Sequence, residues 1–199
     1  MTDRESRVRT AILRRALLGR DTAGPALAEA AGLSPADVSA ALTALHDAGA
    51  VYLRDGAVMA AYPFSLVPTE HRVALGGVTV YANCAVDALA VPPMADGEAQ
   101  ITSECGHCRG PIVVLMRGPR ILGSEPAAPV VFYPAKECCL PGPAVLTHCP
   151  HIQFFCGEDH AARWQQTHLE HWGTVFDLAG AAEYAHRHFA GVIDILRPR

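Results

Sequence analysis

Lysine is nearly missing from this chain of 199 residues: fifteen of its sixteen basic residues are arginine, and Lys136 stands alone. Beside an alanine-rich text, that imbalance reads as coding bias and not as chemistry. A dominant charge is missing too. The formal net charge of −4 offers nucleic acid no general attraction. No apolar run approaches the roughly 18–20 residues of a membrane span, and Asp3 and Glu5 precede any apolar stretch, so the N-terminus does not read as a signal peptide. A cytoplasmic protein is expected. Cysteine does not come in pairs either. Seven is an odd count, which fits reduced thiols used for chemistry or metal better than a disulfide framework. What is present is length for one large domain or two small ones, with a real core.

The first 64 residues read as a module. A helical apolar pattern runs over residues 5–18 through Val8, Ile12, Leu13 and Leu17, with Gly19 placed to end it. A short helix follows from Pro25 to Gly32. Ser34 is then an N-cap with Pro35 at the first helical position, starting a helix through Val38, Leu42 and Leu45 to Gly49. Two strands around the Asp55-Gly56 turn complete three helices and a hairpin, the outline of a winged helix-turn-helix. Its charges argue against reading DNA. The stretch Ser34–Gly49 has no Lys or Arg, and residues 1–64 balance seven Arg against seven acidic residues. A DNA reader needs cations at phosphates and donors at base edges. A structural module packed on the rest of the chain is therefore favoured over a regulator, whose remaining cationic face would be Arg7, Arg9, Arg14 and Arg15.

Residues 65–199 read as a mixed α/β domain with a small sheet and C-terminal helices, which makes the whole chain α+β. Val73–Leu75, Val78–Tyr81, Ile112–Met116 and Pro129–Tyr133 are expected strands; Ala161–His168 and Ala179–Leu196 are expected helices. Prolines 126, 129, 134, 141 and 143 interrupt a long connection. Its part from Lys136 to Gly142, carrying Cys138-Cys139, is expected to lie nearest the site.

Two segments carry the chemistry: Tyr81-Ala-Asn-Cys84-Ala-Val-Asp87-Ala-Leu and His148-Cys149-Pro150-His151-Ile-Gln-Phe154-Phe155. If Cys84 opens a helix, Asp87 falls one turn on, on the same face. Two thiolates grip a soft metal while a carboxylate moves a proton, a combination that neither group offers alone. A lone Cys on an apolar helix is more often a small buried hydrophobe. For Asp87 the bland alternative is a helix cap or a surface carboxylate. Cys149 and its neighbours tip the balance toward function.

At these residues the chain resembles the organomercurial (alkylmercury) lyases. In that family an aromatic-x-x-Cys-Ala-x-Asp-x-Leu segment supplies one thiolate and the acid, and a later Cys with His-x-x-Phe-Phe supplies the second thiolate. The likeness extends to Thr102-Ser-Glu-Cys105 with Gly110-Pro111 and to Phe155–Trp164, covering roughly residues 65–190. The resemblance implies that Cys84, Asp87 and Cys149 are the catalytic and mercury-holding residues. It implies protonolysis of a carbon–mercury bond, giving a hydrocarbon and Hg(II) on the two cysteines, without a required cofactor. Its implied partners are a small organomercurial, low-molecular-weight thiols for product release and a mercuric reductase as acceptor, with no nucleic acid and no membrane. One departure stands out. Many members carry two adjacent cysteines at the later motif, whereas here Pro150 follows Cys149, and Cys138-Cys139 lies upstream as a replacement for handing the product on.

Other thiols stay open. Cys105-Gly-His-Cys108 is half of a zinc site, with Cys138-Cys139 as the available second pair; adjacent cysteines are unusual in tetrahedral sites, so structural zinc is the less favoured reading. Cys105 reads as a buried structural thiol. Seven of the ten histidines lie between 148 and 188 in no familiar ligand spacing and read mostly as solvated. Three functions remain: an organomercurial lyase, a divergent protein of that fold acting on another substrate, and a non-catalytic protein binding or sensing a soft metal. The regulator reading is tested directly. The protein is expected to bind its own promoter region no better than random DNA in an anisotropy titration at physiological salt, and a sequence-specific, salt-sensitive affinity would reverse that order.

Overall fold

The structure, a computed structural model, describes residues 1–197. It opens with three helices: α1 (Asp3–Leu17), α2 (Gly24–Ala31) and α3 (Pro35–Asp47). Local chemistry sets their ends. Thr2 accepts from the Glu5 N–H and the Glu5 carboxylate accepts from the Thr2 N–H, a capping box at the start of α1. Gly32 closes α2 in the left-handed conformation, and Ser34 caps α3 with Pro35 next to it, as the sequence indicates. The three helices turn Val8, Ile12, Leu13, Leu27, Val38 and Leu45 inward.

A hairpin follows, β1 (Val51–Arg54) and β2 (Ala57–Ala61), joined at Asp55 and Gly56, both of which have positive φ (52° and 77°). That backbone suits the right-handed twist of a two-residue hairpin, and Asp-Gly tolerates it. The hairpin does not stand apart. Strands β3 (Phe64–Ser65), β4 (Arg72–Leu75), β5 (Val78–Ala82), β6 (Glu98–Glu104), β7 (Pro111–Arg117) and β8 (Arg120–Glu125) join it in one antiparallel sheet, ordered β1-β2-β3-β5-β4-β6-β7-β8. The small sheet expected from the sequence is thus an eight-stranded one. The additional members, β3, β6 and β8, are short, polar-rich or exposed on one face, so they lack the dense β-branched runs that mark β5 and β7.

A second sheet has three strands, with β9 (Val130–Pro134) between β10 (Gln153–Phe155) and β11 (Gly173–Asp177), all antiparallel. Helix α4 (Ala85–Ala90) lies buried along its whole length and packs on β10 and on α7 (Leu178–His188). Between β9 and β10 the chain makes a 3-10 turn at Lys136–Cys138, the one-turn α5 (Ala144–Thr147) and a second 3-10 turn at Cys149–His151. Helix α6 (Glu158–Thr167) covers β9 and β10, placing Trp164 against Phe132 and Phe155. The single last helix expected over Ala179–Leu196 is two, α7 and α8 (Ala190–Leu196). Phe189 leaves helical geometry at φ −101°, ψ 13°, and its side chain is buried. No helix among the described residues is long and apolar enough to cross a membrane.

One continuous apolar core runs from Val8 in α1 to Leu196 in α8. Phe64, fully buried on β3 where the hairpin meets the rest of the sheet, is central to it. Phe64→Ala is expected to cost about 3–5 kcal/mol, the usual range for removing a buried aromatic ring. Because the core is shared, tryptophan fluorescence, which reports the C-terminal half, and far-UV circular dichroism should shift to lower urea together. Separation of the two transitions would show that the helices and the second sheet unfold independently.

Candidate active site

The chain leaves β5 at Ala82 and enters α4 through Asn83 and Cys84. Cys84 is the N-cap residue, in extended backbone (φ −159°, ψ 176°), and its sulfur accepts the Asp87 N–H at 3.4 Å. Sulfur here fills the place that Ser or Asp oxygen usually takes at a helix start. The consequence is geometric: the cap bond fixes the thiol and the Asp87 side chain on one face of the first turn. Cys149 arrives at the head of its 3-10 turn, and the Ala85 N–H donates to the Ile152 carbonyl at 3.1 Å, tying the two segments together. The reactive atoms of Cys84, Asp87 and Cys149 all lie within 4.8 Å of one another, and all three residues are buried.

Burial dominates their electrostatics. It pushes the Cys84 thiol well above its usual range; Cys149 and the Asp87 carboxylate beside it add to this, and the Asp87 N–H works against it. Burial likewise raises the Asp87 carboxyl to about 7, with the amide of Asn83 and the Cys84 thiol pulling the other way. One side-chain donor steadies that carboxyl and is itself anchored. The Asn83 side-chain amide donates to Asp87 Oδ2 at 3.0 Å and to the Pro63 carbonyl at 3.1 Å. Asn83 Oδ1 is buried with no hydrogen-bond partner among the described residues.

The three residues open onto a cavity of about 760 Å³. Tyr62, Tyr133, His148, Tyr184 and Phe189 give it an aromatic wall. Lys136, Cys139, Leu140, Pro141 and Gly142 line it from the connection that the sequence placed near the site. Tyr62 is held by its hydroxyl oxygen, which accepts the Val145 N–H at 2.9 Å, and the Tyr184 hydroxyl donates to that of Tyr133 at 3.0 Å. Burial raises both Tyr62 and Tyr133 above the ordinary phenol range, keeping them neutral. His148 is not solvated: both ring nitrogens are buried without a partner among the described residues, and its ring meets Tyr133 edge-on. Burial, with Lys136 nearby, lowers its basicity.

The other thiols fall into two groups. Cys138 and Cys139 lie near His171, and Cys139 alone of the pair lines the cavity. They do not complete the Cys105/Cys108 knuckle as the sequence reading had allowed; Cys156 and His160 stand there instead. The contiguity of Cys138-Cys139 made them the visible candidates, while Cys156 reaches the knuckle only because β10 runs beside it. Asn83 and Tyr62 went unmarked in the sequence, since their bonds cross 20 and 83 positions.

A family model described as alkylmercury lyase matches residues 64–190. The chain belongs to the alkylmercury lyase family. It is 32% identical over 110 residues to the alkylmercury lyase of Staphylococcus epidermidis (strain ATCC 12228 / FDA PCI 1200), covering 55% of this chain and 50% of that protein. It is 27% identical over 104 residues to that of Bacillus cereus, with 52% and 47% covered. The matched segment thus spans about half the length of these curated relatives. In three dimensions it is similar to the crystal structure of the mercury-bound form of MerB2, with a TM-score of 0.78 at 20% identity over 96% of this chain and 92% of that one, a likeness of fold.

The raised Asp87 carboxyl has a measurable consequence for stability. Unfolded, the group titrates near 3.8; folded, near 7. Below the lower value both states are protonated and nothing is lost. Between the two the folded state holds the extra proton, so stability falls as pH rises, and the loss is complete above about 7. Asp87→Asn is neutral throughout. Relative to wild type it should gain stability between pH 4 and pH 8, on the order of 2–4 kcal/mol, read from urea midpoints. A difference that is flat with pH would show that the buried carboxyl is not raised.

Proposed function

We propose that this protein cleaves carbon–mercury bonds by protonolysis, with Cys84 and Cys149 as the mercury ligands and Asp87 as the proton carrier. The observation that carries the reading is the buried carboxyl, raised to about 7, set within 4.8 Å of two buried thiols at the foot of an aromatic-walled cavity. Membership of the alkylmercury lyase family supports it. The balance is simple. An organomercurial bound to an external thiolate, R–Hg–SR′, meets two Cys–SH groups; the products are R–H, R′–SH and mercury bridging the two cysteine sulfurs. The mercury–sulfur bonds form as the external thiolate and then the carbon leave.

The residues divide this work. Cys84 rests as a thiol because burial disfavours its charged form, so its proton is there to be given up when sulfur binds mercury. The Asp87 carboxyl, half ionised near neutral pH, takes that proton and passes it to the carbon as the Hg–C bond breaks. General acid–base help of this kind typically contributes 10²–10⁴-fold. Asn83 orients the carboxyl through the bond it donates to Oδ2, while its bond to the Pro63 carbonyl holds the amide in place. Tyr133, Tyr184 and Phe189 offer apolar surface to the organic group. Mercury held by two sulfurs leaves by exchange with a low-molecular-weight thiol, and Cys139 on the cavity wall is placed to share in that exchange.

The same proposal assigns residues 1–64 as a winged-helix-like module with a structural and not a DNA-binding role, and residues 65–199 as the lyase-like part. Three of the four arginines that a regulator would aim at phosphate are used at home: Arg7 donates to the carbonyls of Ala31 and Gly32, Arg15 donates to the Asp21 carbonyl, and Arg9 lines the reactive cavity. The reaction is set in the cytoplasm, where reducing conditions keep the thiols free and a mercuric reductase can take the ion.

The rival reading is a soft-metal trap, which needs the thiols but no proton carrier. Asp87→Asn separates the two. It should retain stoichiometric Hg(II) at Cys84 and Cys149 by mass spectrometry while losing at least about 100-fold of benzene release from phenylmercury by gas chromatography. Cys84→Ala and Cys149→Ala should abolish release. Unchanged release in Asp87→Asn would place the proton elsewhere, and no hydrocarbon from the wild-type protein with excess thiol would leave the trap.

A further inference from the structure

The four residues Cys105, Cys108, Cys156 and His160 form a second cluster that the chemistry above leaves unused. Their ligand atoms lie within 4.8 Å of one another, and none belongs to the reactive trio. Two come from the turn between β6 and β7, one from the end of β10 and one from the first turn of α6. The spacing is Cys-x₂-Cys and, 48 positions on, Cys-x₃-His. We propose that this cluster is a structural zinc site, holding Zn(II) through three thiolates and the His160 imidazole.

Distances support a tetrahedron. Bonds of about 2.3 Å to sulfur and 2.0–2.1 Å to nitrogen set ligand–ligand edges of roughly 3.8 Å between sulfurs and about 3.6 Å from sulfur to nitrogen. Cys108 Sγ and Cys156 Sγ are 3.8 Å apart, and Cys105 Sγ is 3.4 Å from His160 Nδ1. A disulfide would bring two sulfurs to about 2.0 Å; all seven cysteines are free. The backbone is shaped around the sulfurs as well. The Gly110 N–H donates to Cys108 Sγ at 3.3 Å and the Cys156 N–H to Cys105 Sγ at 3.4 Å, the outer bonds that steady thiolate ligands. Arg109 takes a left-handed φ of 60° to make the turn, and a Cβ on Gly110 would sit 3.2 Å from the Cys108 sulfur. On Gly106 it would sit 2.0 Å from the Gln153 side chain. Cys108 is exposed, which gives the ion a way in.

Four protein ligands leave no open position, so the role is architectural. The site fastens the β6–β7 turn of the large sheet to β10 and α6, next to the backbone bond from Gly106 N–H to the Phe154 carbonyl. β10 begins four residues after Cys149. Zinc here anchors the strand that follows the turn carrying the second reactive thiol.

The test uses the full-length reduced protein expressed with added zinc and passed over a desalting column. Elemental analysis should find about one zinc per chain in wild type and in Cys84→Ala. Cys108→Ser and His160→Ala should bind it at least ~100-fold more weakly in chelator competition, beyond the roughly 10–100-fold that a lost outer-shell partner costs. X-ray absorption of the wild-type protein should give three sulfurs and one nitrogen, and Co(II) in its place should show tetrahedral thiolate absorption. Two outcomes overturn the proposal: wild type that takes up neither ion, or zinc lost from Cys84→Ala and kept by Cys108→Ser, which would put it in the reactive pair. If Cys108→Ser does not fold, the wild-type ligand count decides alone, since a shell with fewer than three sulfurs rejects the site. Hydrocarbon release is read separately, so zinc binding stands or falls independently of the lyase reading.

Discussion

Water is kept from a carboxyl group and two thiols that share one small space, and this desolvation sets the chemistry available to each. In water Asp87 would be a carboxylate and Cys84 a thiol with ordinary acidity. Burial pushes both toward their neutral forms; the Asp87 carboxylate makes ionisation of Cys84 harder still, while the Cys84 thiol eases that of Asp87 a little. The result is a site with a protonated Cys84 thiol beside a carboxyl that exchanges its proton near neutral pH. A soft cation that binds sulfur reverses that balance at once, since it replaces the proton and neutralises the thiolate. The fold supports this arrangement with few polar contacts: one amide from Asn83, one N–H onto Cys84, and an aromatic wall.

How the pieces meet depends on two unlike sheets. The large antiparallel sheet delivers Asn83 and Cys84 from the end of β5, and the small one delivers Cys149 from the approach to β10. Between them α4 is wholly buried, so its first turn has no freedom to drift. The Ala85 to Ile152 backbone bond closes the seam. Rigid supports for both reactive segments are what a reaction demanding two sulfurs on one atom requires.

Much of this was legible before the structure. Cys84 and Asp87 are one helical turn apart, and a polar cap before an alanine-rich helix is a local signal; Ser34-Pro35 and Asp55-Gly56 announce their elements in the same way. Cys149 was assigned by its motif, yet its approach to Cys84 rests on a backbone bond that no local pattern encodes. Strands β6, Glu98–Glu104, and β8, Arg120–Glu125, are both absent from the expected strands: β6 alternates but with polar residues at every other place, and β8 buries no residue and includes Gly123 and Ser124. The Cys156-x₃-His160 pair is visible in the sequence, but nothing local joins it to Cys108, 48 positions earlier. Histidines read as solvated turned out to stack on Trp164 or face the cavity, because aromatic packing leaves no spacing signature in sequence.

The bond from Asn83 to the Pro63 carbonyl ties the carboxyl's orienting amide to the stretch just after the hairpin. Residue 63 follows the hairpin and precedes β3, and residue 83 lies in the reactive segment. Exchanging the first sixty-odd residues for another sequence therefore also exchanges a support of the acid. Drift in the backbone at position 63 tilts the amide, and the amide tilts the acid.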